Sequence, residues 1–270
     1  DLKREYASLS MANSVWFDRG AITVADKFLQ ANANFFSADV FESEFNERTV
    51  KEVNDWISEK TGGMIENALE RLSPESVMLL INALYFESEW ADPYSEYSVH
   101  EGTFTAVDGT KEDVEFMYST ESCYLEDENT TGFVKYYNGN EYAFVALLPN
   151  KGVSISSYVD DLDGEKIMNL FATMRTLNVR VNARMPKFST EYSAESMIKS
   201  LEAMGIRDVF SPTKADLSSI CKDAENLYVG QVIHKTNILV DEAGSKAGAV
   251  SIVDLKLGAE YIEPETEYKD

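Results

Sequence analysis

The sequence has little of what catalytic and metal-binding proteins rely on. Among 270 residues there are two histidines and two cysteines. His100 and His234 have neither metal-ligand spacing nor an HExxH context, so a zinc centre is not expected. Cys123 and Cys221 stand too far apart for a zinc site, and two cysteines make no disulfide framework. No GxSxG elbow, P-loop or GxGxxG occurs, which removes the local signals for a hydrolase nucleophile and for nucleotide binding. No cofactor is indicated. No stretch approaches the roughly 18 apolar residues of a membrane-spanning helix. The first residues, DLKREYASLS, lack the basic and apolar regions of a signal peptide.

Positive charge is also scarce: 24 Lys and Arg against 47 Asp and Glu leave a formal charge of −23. Such a field repels phosphate backbones and anionic bilayers, so neither nucleic acid nor a membrane is expected as a partner. With carboxylates this abundant, acid/base pairs arise by chance, and their number is no argument for glycosidase chemistry. The same holds for a hydrolase with a diffuse acid/base site.

What is present suits a globular chain: 44% hydrophobic residues, enough for a sizeable core at this length, and no internal repeat or linker. We read residues 1–270 as a single mixed α/β domain. Residues 9–17 carry β-formers up to the break at Gly20, and 23–36 place Val24, Phe28, Leu29 and Phe36 at helical spacing. The helix at 47–61 has Val50, Val53, Trp56 and Ile57 on one stripe and stops at Gly62-Gly63. A shorter helix is expected at 64–72.

The run VMLLINALYF (77–86) has one polar side chain, Asn82, and reads as a strand covered on both faces. Strands are further expected at 104–116, 133–137, 142–148, 177–181 and 184–188, helices within 156–174 and at 194–204, and a last strand pair within 227–240. Asn82 and His234 are lone polar residues in apolar strands. Buried polar groups are normally hydrogen-bonded, so each is a candidate partner of the other.

Several segments, in order, resemble the serpin family: SMANSVWF (10–17), WISEKTGGMIENAL (56–69), NALYFESEW (82–90), MPKF (185–188), SLEAMGIRDVFSPTKADLSSI (200–220) and VIHKTNILVDEAGSKAGAV (232–250). The resemblance implies an α+β serpin-like fold: a large mixed sheet, additional sheets, covering helices and an exposed reactive loop in the region 242–270. It also implies a fragment, lacking helices before Asp1 and strands after Asp270. The implied function is inhibition of a serine protease by a suicide-substrate mechanism, with no catalytic residue, no cofactor and no metal.

The resemblance further assigns a hinge to Glu242, Gly244, Ser245, Lys246, Ala247, Gly248, Ala249 and Val250. Their small or β-branched side chains suit entry between two strands, with Ser245, Ala247 and Ala249 on one face and Lys246, Gly248 and Val250 on the other. Asn82 and His234 match the family's shutter, and Trp90, Lys187 and Glu242 its breach. Spacing from Glu242 puts the reactive bond at Gly258-Ala259, which suits an elastase-like target; Lys256 or Tyr261 serves instead if the loop is longer. The family reading implies a secreted monomer. Its alternative is a non-inhibitory serpin acting as a binding or carrier protein, for which a bulky or charged hinge is expected. Two departures stand out: Glu87-Ser88-Glu89 where lysine and glycine are usual, and Gly248, which lowers strand preference within the hinge.

Overall fold

The apolar run at 77–86 is the middle of a 14-residue strand, and the rest of the molecule is arranged around it. The computed structural model describes residues 2–3, 7–222 and 226–258. Its elements in chain order are β1 (Leu2–Lys3), β2 (Ala7–Asp18), α1 (Asp26–Phe36), β3 (Asp39–Ser43), α2 (Glu47–Lys60), β4 (Ser76–Glu89), β5 (Val99–Thr105), β6 (Lys111–Glu121), β7 (Tyr124–Glu126), β8 (Thr130–Tyr136), β9 (Ala143–Pro149), α3 (Ile155–Asp160), α4 (Gly164–Ala172), β10 (Val181–Pro186), β11 (Phe188–Ala194), α5 (Ile198–Ala203), β12 (Leu227–Val240) and β13 (Gly244–Leu257).

The large sheet has the order β1-β2-β4-β13-β12-β11, with β3 pairing parallel to β2 and making it mixed. Two three-stranded sheets accompany it, β10-β6-β5 and β7-β8-β9. This is the α+β arrangement that the sequence led us to expect. The exposed loop is the exception: residues 244–257, expected to lie outside the sheet, form β13 at its centre. Small and β-branched residues suit a strand as well as a loop, and backbone pairing with two neighbours decides between them.

Smaller differences have local causes. Residues 64–72 are not a helix but an irregular, bent segment following the turn at Gly62 and Gly63, both at positive φ. The helix expected within 156–174 is two, divided where Asp163 caps α4 by accepting from the Lys166 amide. The strand expected at 177–181 begins only at Val181. Residues 227–240 are one strand rather than a pair, with a register shift between Val229 and Gln231. Phe36, placed on the buried stripe of the first helix, is exposed.

The front of the large sheet is covered by α2. Asn46 caps that helix in a box with Thr49, and Val53, Trp56 and Ile57 pack on Trp16, Leu79, Ile81, Ala83, Val250 and Ile252. The segment after α2 continues across the same face through Ile65, Ala68 and Leu69. On the other face, Val15, Phe17, Met78, Val232 and Leu255 form a second cluster. An aromatic cluster around Trp90, Tyr94 and Tyr137 joins the end of the sheet to the smaller ones.

Ile57 is fully buried at 0% exposure between helix and sheet. Ile57→Ala leaves a cavity there and is expected to destabilise the fold by about 2–5 kcal/mol. A lowered urea midpoint with an unchanged slope checks this.

Candidate functional site: the seam around β13

The sequence-predicted residues converge on β13 and its two neighbours. β13 runs antiparallel to both β4 and β12, so those two run parallel to one another. Pairing is nearly continuous on both sides, from Gly244 opposite Glu89 to Lys256 opposite Ser76, and from Ser245 opposite Val240 to Leu257 opposite Leu227. Every expected hinge residue from Gly244 to Val250 therefore lies within the sheet.

At the entry of the seam lie Trp90, Lys187 and Glu242, the residues that the family resemblance assigned to a breach. The Lys187 ammonium lies 2.9 Å from Glu242 Oε2 and 3.1 Å from Glu115 Oε2. Glu242 and then Glu115 raise the Lys187 pKa, and Lys187 holds Glu242 below its usual value. Glu242 thus adds stability above the ordinary carboxylate value, and that contribution is lost as pH falls through its lowered one. The groups are partly exposed, so their worth is about 0–1 kcal/mol and lies mainly in geometry. Trp90, 1% exposed, donates from its indole to the Asp241 carbonyl at 2.9 Å and from its backbone to the Ala243 carbonyl at 2.9 Å. Its ring stacks on Tyr137 at 4.5 Å. The chain is thereby anchored on both sides of Glu242, directly before the strand begins.

Within the hinge, room is set by backbone. A Cβ on Gly244 would lie 2.1 Å from the Ser88 carbonyl oxygen and 2.8 Å from Glu89 Cα, where nothing flexible can yield. Ser245 is 4% exposed; Tyr137 lies beside it, its pKa raised by burial and drawn back by the Ser245 hydroxyl. Lys246 reaches Glu87 at 2.6 Å, with both side chains about half exposed. The unusual Glu87 thus meets the hinge lysine, which holds it below the usual carboxylate value. Glu87 also accepts from Tyr85, whose phenol is pushed up to about 12, by burial first and Glu87 second. Gly248 lies beneath the segment after α2, where a Cβ would stand 3.1 Å from Met64 Cβ. Its missing side chain makes space for that crossing.

The shutter residues are arranged differently from expectation. Asn82 and His234 are not each other's partner, because β13 stands between them: Ser251 is opposite Asn82 on one side and His234 on the other. The Ser251 hydroxyl is 2.9 Å from His234 Nδ1, and Asn82 donates to Asn13 Oδ1 at 2.9 Å. Asn82 is exposed rather than buried. Four polar residues, Asn13, Asn82, Ser251 and His234, thus form a row across β2, β4, β13 and β12. Sequence reasoning missed Asn13 and Ser251, although Asn13 interrupts an apolar run much as Asn82 does.

At the far end β13 stops at Leu257, and the Gly258 amide donates to the Asn226 carbonyl at 3.0 Å. Ala259 and Tyr261 lie outside the described residues. Lys256 is within the strand. No group of three or more His, Cys, Asp or Glu side chains able to hold a metal occurs among the described residues.

A family model described as Serpin (serine protease inhibitor) matches residues 1–267. Serpin B11 of Mus musculus is 29% identical over 255 residues, covering 90% of this chain and 64% of that protein. The chain spans 59–64% of the length of the first three curated relatives it matches. Among solved structures, the thermophilic serpin tengpin in its latent state is 44% identical with a TM-score of 0.88, over 93% of this chain and 68% of that one. Tengpin in its native state is 41% identical with a TM-score of 0.84, over 99% and 66%.

Gly244→Ala is expected to keep the segment out of the sheet. The check is hydrogen exchange: protection should be lost across residues 245–257 while α2 exchanges as before.

Proposed function

Because the chain belongs to the serpin family, we propose that it inhibits serine proteases as a suicide substrate, with residues 242–270 as its reactive loop region and the Gly258-Ala259 bond as bait. A protease serine attacks the Gly258 carbonyl, the Ala259 amine leaves, and Gly258 remains as an ester on the enzyme. The freed segment enters between β4 and β12 and carries the esterified end along the sheet. Fourteen strand residues at roughly 3.3 Å each move it about 46 Å, enough to drag the protease across the molecule.

One observation carries this reading: residues 244–257 pair on both sides with strands that run parallel to each other. With the segment withdrawn, β4 and β12 are oriented to pair directly; with it inserted, both gain an antiparallel neighbour and Val250, Ile252 and Leu255 are buried to 1% or less. Both arrangements satisfy backbone hydrogen bonding, which is what a two-state sheet requires. The loop-out form is then held by a kinetic barrier above the inserted one.

The strand ends one residue before Gly258, so the whole stretch from hinge to bait is taken up. Glycine at the bait suits an elastase-like pocket built for small side chains. The chain acts in this reading as an inhibitor rather than an enzyme, as a monomer, and outside the cell; secretion rests on the family resemblance. The small residues of the hinge favour inhibition over the carrier role, since they fit the seam they occupy.

Incubation of the full-length protein with elastase-like, trypsin-like and subtilisin-like proteases is expected to give an SDS-stable complex with the elastase-like enzyme, and sequencing of the released peptide should begin at Ala259. Ser245→Arg places a charge where the serine is 4% exposed. It is expected to remove the complex while leaving loop cleavage intact. Cleavage without a complex in the unaltered protein would favour the carrier role.

A further inference from the structure

The lower part of β13 carries a group that neither the hinge nor the bait accounts for. Asp254 is 3% exposed and faces the front of the sheet between Leu79 of β4 and Gln231 of β12. One carboxyl oxygen accepts from the Ser76 hydroxyl at 2.7 Å, and the other, Oδ1, is buried without a partner. The nearest cation, the Lys256 ammonium on the same strand, is 3.9 Å away, beyond hydrogen-bonding distance. The turn before β4 contributes Glu75, which acts against the charge that Lys256 favours. The segment after α2 contributes Glu70 and Arg71, and Glu195 and Lys235 line the same cleft as Lys256. None of these closes on the orphaned oxygen.

A carboxylate with one hydrogen bond and an unpartnered oxygen is costly to hold out of water, whereas the neutral acid is not. In a solvent-exposed loop the same residue is an ordinary surface aspartate. We propose that Asp254 is a proton-operated gate on strand insertion, so that acidification favours seating of the lower half of β13 and neutral pH resists it. This rests on the reading of residues 244–257 as a segment that enters and leaves the sheet. The proton is taken up from solvent, about one per strand seated, and is released on withdrawal.

Burial is the dominant influence on the seated carboxyl, raising its pKa from the ordinary 3.8 to about 6, with the Ser76 hydrogen bond opposing. The raised value fixes the sign. The inserted state is favoured below the loop value and loses that advantage as pH rises through about 6. Between about pH 8 and pH 5 the ratio of inserted to withdrawn segment is expected to rise about tenfold.

The test incubates the full chain across that pH range, returns every sample to a common pH, and applies a brief pulse of thermolysin. Mass spectrometry then gives the fraction of molecules with residues 244–257 intact. The expected result is a protected-to-cleaved ratio that begins to rise near pH 6 and is about tenfold higher at pH 5 than at pH 8. Asp254→Asn should hold the protected fraction at its acid value throughout. Ser76→Ala removes a hydrogen bond to the charged form and should move the onset of the rise to higher pH. His234→Gln, altering the seam's histidine, should keep the full response. A pH response that persists in Asp254→Asn, or vanishes in His234→Gln, overturns the gate while leaving insertion standing. A segment protected equally at every pH in every variant never leaves the sheet, and overturns the loop reading together with the gate.

Discussion

Two-sided backbone pairing of β13 is the interaction on which the rest depends. Because β13 is antiparallel to both β4 and β12, its presence or absence changes which edges face each other without leaving donors and acceptors stranded in either case. A sheet of this kind has two complete arrangements, and side chains decide which is preferred. The apolar contribution comes from Val250 and Ile252 under α2 and Leu255 on the opposite face. Clearance comes from Gly244, where backbone at the entry leaves no space for a side chain, and from Gly248, where Met64 at the crossing leaves little.

Polar contacts along the seam divide into those that assist the strand and one that opposes it. At the entry, Lys246 meets Glu87 and Lys187 meets Glu242, pairs near solvent where charge is inexpensive to accommodate, while buried Trp90 ties down the chain before the strand. Midway, Ser251 stands between His234 and Asn82, and its hydroxyl lies 2.9 Å from His234 Nδ1. At the far end, Asp254 enters a site with one hydrogen-bond donor, its nearest cation, Lys256, standing 3.9 Å away. In the proposed insertion the seam is therefore permissive where the segment would enter and resistant at its far end, where Asp254 sits.

The large strands and the amphipathic helix were legible because their signals are local. The run at 77–86 is too apolar to be anything but covered, and Val53, Trp56 and Ile57 occupy the stripe that packs on the sheet. Lys187 and Glu242, paired in the sequence reading only through the family's motifs, meet at 2.9 Å although they lie 55 positions apart in the chain. Asn82 and His234 were recognised as special, but their relation was not. Two polar residues in two strands carry no information about a third strand between them, so Ser251 went unnoticed. Asp254 was invisible for the same reason: an aspartate in a segment expected to be an exposed loop has an ordinary surface as its default.

The chain's own chemistry determined a single domain of mixed helices and strands, most of the elements that surround the seam and the mostly small side chains of residues 244–250, since periodicity and side-chain volume are properties of neighbouring residues. Tertiary structure alone decided that residues 244–257 are a strand, which partners the shutter residues take, and that Asp254 is buried. Those outcomes depend on edges and cavities formed by segments more than 150 residues distant, as in the contact from Ser76 to Asp254. A short run of small residues satisfies a solvated loop and a central strand equally well, and only the availability of two open backbone edges separates them.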